Sequence, residues 1–405
     1  MNRPGNTRLV AARIAAGYRS QGAFADALGV AVRQVRRWES KNPPWPQPDQ
    51  QRKIVQLTGQ DLESLGFTPP PGRSVRMAPL PGQVAPSTGL GHVPSQRKPL
   101  QPPSVATDFV SVSVAQRHLY WNVAPSALHP STLAHASLGC ALLQETAGVT
   151  RKKIAAALAE TYLLAGRIEF FDVQQPEEAK DTWVRALQAA GEADDPLLGA
   201  AILAHTAFIP AWERRREEAI ERMTAARAYA RRGPAPALLL AWLDAVEAEC
   251  ETRCGQTRTA LHLLRHAEGV LEADSGFETP EWLDWFSAVR LAAFKGNTEL
   301  KAGLLPQARD TLTGALDGLR DSEVKQRSVI LGDLAAVEAA AKRPEEACGY
   351  AIRALDQLKE TWYATGMERV REVRRALAPW RHERCVRDLD DRLYDWETTI
   401  SALAR

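Results

Sequence analysis

No stretch of this 405-residue chain approaches the ~20 consecutive apolar residues that span a bilayer, so a membrane protein is not expected. The first twenty residues carry arginines throughout and no uninterrupted apolar segment, which argues against a secretory leader. Cysteine is sparse: five residues, scattered and odd in number, which suit a reducing cytoplasm better than a disulfide framework. A glycine-rich phosphate loop, a nucleophile elbow and an HExxH helix are all missing. The acid pairs Asp194-Asp195 and Asp390-Asp391 sit in charged runs typical of solvated helix faces. No catalytic residue, no cofactor and no enzymatic activity is therefore expected.

The nearest approach to a metal set is Cys250, Cys254, His262 and His266, and its spacing matches no zinc signature. At about 100° per residue, the two cysteines share a face with Leu243 and Val246, while the two histidines fall opposite the face of Ala260. The pairs do not converge, and no metal is expected.

What is present is an uneven charge. The net charge is only +2, yet residues 1–67 hold ten Lys/Arg against five Asp/Glu, and residues 68–106 hold four Arg/Lys and no acid. The remainder is acidic. A basic head on an acidic body suits a protein that presents one end to a polyanion.

Within that head, "GVAVRQVRRWESK" (29–41) raises the choice between a merely basic surface helix and one that lies on DNA. If Ala31 opens a helix, Val32, Val35 and Trp38 make a stripe for burial, and Arg33, Gln34, Arg36 and Arg37 project away from it. The preceding "SQGAFADALG" offers Ser20 as N-cap, Phe24, Ala25 and Leu28 as an apolar face, and Gly29 as the turn. Upstream, "TRLVAARIAAGYRS" supplies a packing helix through Leu9, Ala12 and Ile14, with Tyr18 after it. Arg8 and Arg13 are candidate phosphate contacts.

This order of elements, with Ser20-Gln21, Ala25, Leu28-Gly29-Val30, Val35 and Trp38-Glu39, resembles the Xre/Cro-like helix-turn-helix family. The resemblance covers residues 1–67. It implies a small helical bundle with its second motif helix in the major groove of double-stranded DNA. Val32, Arg33, Gln34, Arg36 and Arg37 would then lie on the recognition surface, and Ser20 and Gln21 at a helix N-terminus facing phosphate. Two departures stand out: Ala31 replaces the usual Ser or Thr cap, and "SKNPPWPQPDQ" replaces the usual short glycine turn.

From residue 68 to 107 the chain is rich in proline and glycine, with few large apolar residues to offset the entropy of ordering, and a flexible linker is expected. Beyond it, over 108–405, a small-x3-large-x2-small pattern recurs. It appears as Ala179/Trp183/Ala186, Ala219/Met223/Ala226, Ala260/Leu264/Ala267, Ala308/Leu312/Ala315 and Ala347/Ala351/Ala354, at intervals of 40, 41, 48 and 39 residues. That is a helix-pair repeat by period. Residues 131–149 are expected to cap its front, and two charged helices over 367–380 and 381–399 its back. With "AGR" (165–167), "RCGQ" (253–256) and "KAGL" (301–304) closing the first helices, the array is similar to tetratricopeptide repeats, although the period exceeds their ~34 residues. The resemblance implies an α-solenoid with a groove for peptides, proteins or small ligands. Trp212, Trp242, Trp282 and Trp285, with Phe286, cluster mid-array, either as core or as the lining of such a groove.

The expected protein is all-α: a helix-turn-helix bundle, a disordered linker and an α-solenoid. An Xre-like head on such a body resembles regulators of the Rap–PlcR kind, which answer signalling peptides, and related regulators of high-GC bacteria. A cytoplasmic, nucleoid-associated transcription regulator is expected, one that forms a homodimer or senses a peptide, small-molecule or protein effector. The alternative is a protein-interaction scaffold whose head reads no DNA sequence.

Overall fold

The computed structural model describes residues 5–41, 43–58, 60, 62, 64–68, 101–273 and 276–403, with side chains as far as residue 396. Most of the expected linker (69–100) lies outside the described residues. Regular structure among the described residues is all helical, with no strand. The chain divides into two compact units, Met1–Pro94 and Ser95–Arg405.

The first unit contains α1 (Thr7–Ala15), α2 (Gln21–Leu28), α3 (Val32–Trp38) and α4 (Pro48–Thr58). Each begins and ends for local reasons. The Asn6 side chain caps α1 by accepting from Leu9 N, and the Ser20 side chain caps α2 by accepting from Ala23 N. Gly29, at φ 70°, stops α2 in the left-handed conformation that a side chain would strain. Ala31 opens α3 with no side-chain cap, as its chemistry requires. Leu9, Phe24, Ala25, Leu28, Val35, Trp38, Ile54 and Phe67 fill one core, with Trp38 and Phe67 meeting edge to face at 6.4 Å.

One expected core residue is displaced. Ile14 is 53% exposed, and the buried face of α1 is Leu9, Ala12 and Arg13. Arg13 gives up solvent because Nε reaches Glu39 at 2.6 Å and Nη1 donates to the Tyr18 carbonyl at 2.6 Å. It ties α1 to the end of α3 and is not free to meet phosphate.

The second unit runs α5 (Ser104–Leu119), α6 (Pro125–Gln144), α7 (Gly148–Arg167), α8 (Pro176–Ala193), α9 (Pro196–Trp212) and α10 (Arg216–Ala230). It continues with α11 (Ala237–Arg253), α12 (Thr257–Ala273), α13 (Ala288–Lys301), α14 (Leu305–Asp317), α15 (Val324–Ala340), α16 (Pro344–Glu360), α17 (Ala364–Ala376) and α18 (Arg384–Leu403). Helix α5 starts before residue 108, and Gln101 N already bonds the Glu145 carbonyl, so residues 101–107 belong to this unit rather than to a linker. The front is covered by two helices, and α6 ends at Gln144 rather than running to residue 149.

The helices pack in consecutive pairs, α7/α8 through α15/α16, and the five small-large-small triplets all lie on the second helix of a pair. Fourteen of their fifteen residues are no more than 1% exposed, and Ala315 is 3% exposed. Between the helices of each pair one residue adopts positive φ: Gln174, Arg214, Gly255, Gly303 and Lys342. Each stands five residues before its triplet, so the turn and the packing motif repeat as one unit. The next amide closes the turn on the first helix, from 215 to 210, 256 to 251, 304 to 299 and 343 to 338.

The first pair differs by one residue. There the bond spans 175 to 169, and the extra residue is absorbed in a π-helical turn, Ile168–Asp172, that continues α7. "AGR" therefore closes no helix. Gly166 lies inside α7 against the Trp183 indole, where an added Cβ would fall well inside van der Waals distance.

Gly166→Ala is expected to destabilise the protein by about 1–3 kcal/mol through overpacking, because Trp183 is fully buried and has no room to yield. Gly314→Ala, exposed within α14 with open space around its Cβ position, should instead stabilise by about 0.5–1 kcal/mol. Urea midpoints of the two variants against the parent check both signs.

Candidate functional site

Two places carry candidate functional side chains, one in each unit. In the first unit, α3 buries Val35 and Trp38 completely, half-buries Val32 and Gln34, and exposes Arg33, Arg36 and Arg37. Arg36 Nε donates to Gln21 Oε1 at 3.4 Å, and Gln21 Nε2 donates to Glu39 Oε2 at 2.5 Å. Gln21 thus links the start of α2 to the end of α3 and steadies Arg36. Ser20 is exposed, with its hydroxyl oxygen engaged by Ala23 N at 3.1 Å, and Arg8 is exposed on α1.

In the second unit the first helices of successive pairs, α7, α9, α11, α13 and α15, together with α17, surround a cavity of about 140 Å³. Aromatic rings and arginines line it. Of the expected tryptophans, Trp212, Trp242 and Trp285 border it. Trp282 does not: it stacks on Trp285 at 5.6 Å and lines a neighbouring void with Arg117 and Glu160. Trp282 lies within a 3-10 turn (Glu281–Leu283) and Trp285 two residues beyond it, so Trp285 borders both spaces while Trp282 borders only the smaller one.

No periodicity in the chain announced the charges there. Asp172, brought inward by the π-helical turn, and Lys325 of α15 are almost wholly buried and meet at 2.5 Å. Burial pushes the Asp172 carboxyl up and the Lys325 ammonium down, while each partner favours the other's charge. Lys325 Nζ also lies 3.7 Å from the centre of the Tyr120 ring, and burial beside Asp172 holds the Tyr120 hydroxyl well above the usual phenol range.

The same turn supplies two carbonyls to the far end of the array. Trp362 Nε1 donates to Asp172 O at 3.1 Å, and Thr365 Oγ1 donates to Phe171 O at 3.1 Å. Contacts across 153 to 194 residues depart from the neighbour-only contacts expected of a repeat array.

Around this pair stand four arginines. Arg290 pairs with Glu323 at 3.4 Å, Arg253 with Glu249 at 2.9 Å, and Arg369 with Asp333 at 3.2 Å. Arg167 has no ion pair or hydrogen bond among the described residues; its guanidinium rests over the Tyr120 ring at 4.8 Å and the Trp285 ring at 4.9 Å. His205, on the same wall, donates from Nδ1 to the Ala201 carbonyl (2.8 Å), since that oxygen can only accept. Burial first, and Arg167 second, push its pKa down to about 3, so it is neutral at physiological pH.

The remaining candidates have structural roles. Cys250 is buried against the Ala207 carbonyl and its thiol is pushed well up by burial, while His262 and His266 are exposed on α12. Asp195 caps α9 and Asp390 pairs with Arg374. No three His, Cys, Asp or Glu are grouped to hold a metal ion among the described residues. No helix among them is long and apolar enough to cross a membrane. The chain matches no family model, and no curated protein is significantly similar to it.

Removing one partner of the buried pair leaves the other charge stranded. Lys325→Met is expected to cost about 3–5 kcal/mol, and Asp172→Leu/Lys325→Met to recover most of that loss, because the double change removes both desolvation penalties. Chemical unfolding of the two variants tests it.

Glu160 makes stability depend on pH. Burial raises its carboxyl to about 7 despite its bond to Arg117 at 2.6 Å. Between about pH 4.5 and 7 the folded state keeps a proton that the unfolded chain releases, so this group lowers stability as pH rises through that window. Glu160→Gln lacks this titration. Its stability relative to the parent should therefore climb by up to about 3 kcal/mol from pH 4.5 to 7.5, as measured by urea unfolding at each pH.

Proposed function

We propose that this protein is a sequence-specific DNA-binding transcription regulator whose second unit dimerises or senses an effector. In this reading α2, Gly29 and α3 form a helix-turn-helix of the Xre/Cro-like kind, and the paired helices form a tetratricopeptide-like α-solenoid. One observation carries the DNA reading: α3 spends Val35 and Trp38 on the core and leaves Arg33, Arg36 and Arg37 outward on a basic unit. Arginine forks match the O6/N7 edge of guanine in the major groove, and each such pair is worth ~1–3 kcal/mol of discrimination. The effector reading is supported by the aromatic cavity among the first helices.

A single small head presents little surface, whereas two heads tied through their bodies gain from effective concentration. The acidic body is better suited to pairing or ligand binding than to touching the duplex. A scaffold that reads no sequence would show no selection at all.

Selection of duplexes from a random pool by the full-length protein should yield a defined site. Arg33→Ala or Arg37→Ala should flatten the preference at individual base pairs. Arg8→Ala should weaken all sequences alike. Arg13→Ala should instead destabilise the head, because it removes the buried cation that balances the Glu39 carboxylate and leaves it only the Gln21 hydrogen bond. Unselective enrichment by the parent, or an unchanged preference in both recognition variants, would overturn the reading.

A further inference from the structure

We infer that the cavity of the second unit binds a small planar aromatic monocarboxylate, with Arg167 as its anion anchor. The charge balance is the first ground. Four of the five cations on the wall have a carboxylate partner, and Arg167 alone among them has none within the described residues. One uncompensated guanidinium, on a residue only 7% exposed, calls for one negative charge rather than the two of a phosphate monoester. It also favours a planar carboxylate, which accepts both prongs of the fork.

The second ground is the wall. Arg167 is held between Tyr120 and Trp285, and Trp242 closes against Trp285 at 6.0 Å, so an occupant whose charge meets Arg167 has ring faces and edges around its body.

The third ground is unspent donors. Trp285 Nε1 and Arg253 Nη2 are buried without a hydrogen-bond partner, although both residues line the cavity. Buried donors are rarely left orphaned, and two on one wall beside a free cation point to an absent acceptor.

Size limits the class. A cavity of about 140 Å³ compares with the ~150 Å³ that accommodates a benzene molecule. One ring with a carboxyl group is the match in size, two fused rings with a short acid arm test its upper limit, and an extended peptide does not fit.

This inference rests on the proposed function only in that such a ligand would serve as the effector. Its test contains no DNA, so failure of DNA selection and failure of ligand binding are separate results.

Full-length protein would be titrated calorimetrically with benzoate and indole-3-acetate, and with the matching amides benzamide and indole-3-acetamide. At least one acid is expected to bind at least tenfold more tightly than its amide. Arg167→Met should abolish that preference while leaving amide affinity within about twofold, and Arg167→Lys should retain part of it. Where Arg167→Met does not fold, Gln326→Glu serves, since it adds a carboxylate to the cavity wall at a side chain with no hydrogen bond or ion pair of its own among the described residues. It should weaken the acid at least fivefold and leave the amide unchanged. Equal binding of acid and amide, no binding of either acid, or a preference that survives these substitutions would overturn the assignment.

Discussion

The second unit depends on one buried contact, Asp172 to Lys325. Neither charge belongs in a protein interior, and each is kept there by the other. The pair joins the first helix pair to the fifth across 153 residues of chain. A stack of helix pairs has no intrinsic reason to bring those two places together, since each pair is satisfied by its neighbours. With the Trp362 and Thr365 bonds to the same turn, the contact fixes how far the array closes on itself. The cavity is a consequence of that closure, because Tyr120, Arg167, Lys325 and Tyr363 meet only when both ends are held.

The device that delivers Asp172 is an insertion of one residue. In the later pairs the turn closes five residues back, and in the first it closes six back, with the surplus taken up as a π-helical turn. Such a turn loosens the backbone hydrogen-bond ladder and rotates the downstream residues by roughly a quarter turn, which is why it recurs where a side chain must be re-aimed. Here the re-aimed residue is a carboxylate 0% exposed, and the carbonyls loosened by the bulge find partners in Thr365 of α17 and in Trp362, two residues before that helix.

The two helices of a pair divide the work, and that division decided how much was legible in the sequence. Second helices expose one face, so their small-large-small stripe survives as a clean period. All five triplets were legible, as were Val35 and Trp38 on α3 for the same reason. First helices are packed on several sides, their composition is nearly uniform, and no period marks which residue points inward. Trp212, Trp242 and Trp285 were legible as candidates because tryptophan is conspicuous, but the split between Trp285 and Trp282 needed the geometry of a 3-10 turn. Arg167, Asp172, Arg290 and Lys325 were missed because each stands among other charges, Glu169, Lys295 and Glu299, or Glu323 and Arg327, and nothing in the sequence singles out those that turn inward. The one-residue surplus was invisible because the interval between triplets hides it. Arg13 and Ile14 show the same limit at smaller scale, where a buried ion pair overrode hydropathy.

The charge on Arg167 bears on the contact that closes the array. It disfavours the protonated state of Lys325 and favours the ionised state of Asp172, so it acts in opposite senses on the two halves of the pair. An anion seated on Arg167 would cancel both influences. The Lys325 ammonium would gain and the Asp172 carboxylate would lose, with Lys325 still satisfied by its 2.5 Å contact and by the Tyr120 ring. Filling the cavity would also replace empty space with ring contacts to helices from both ends of the array. By linkage, any such occupant stabilises the closed arrangement by an amount that grows with the logarithm of its free concentration above Kd. In the regulator proposed above, a ligand that holds the two ends of the array together would act on whatever surface the second unit uses for association.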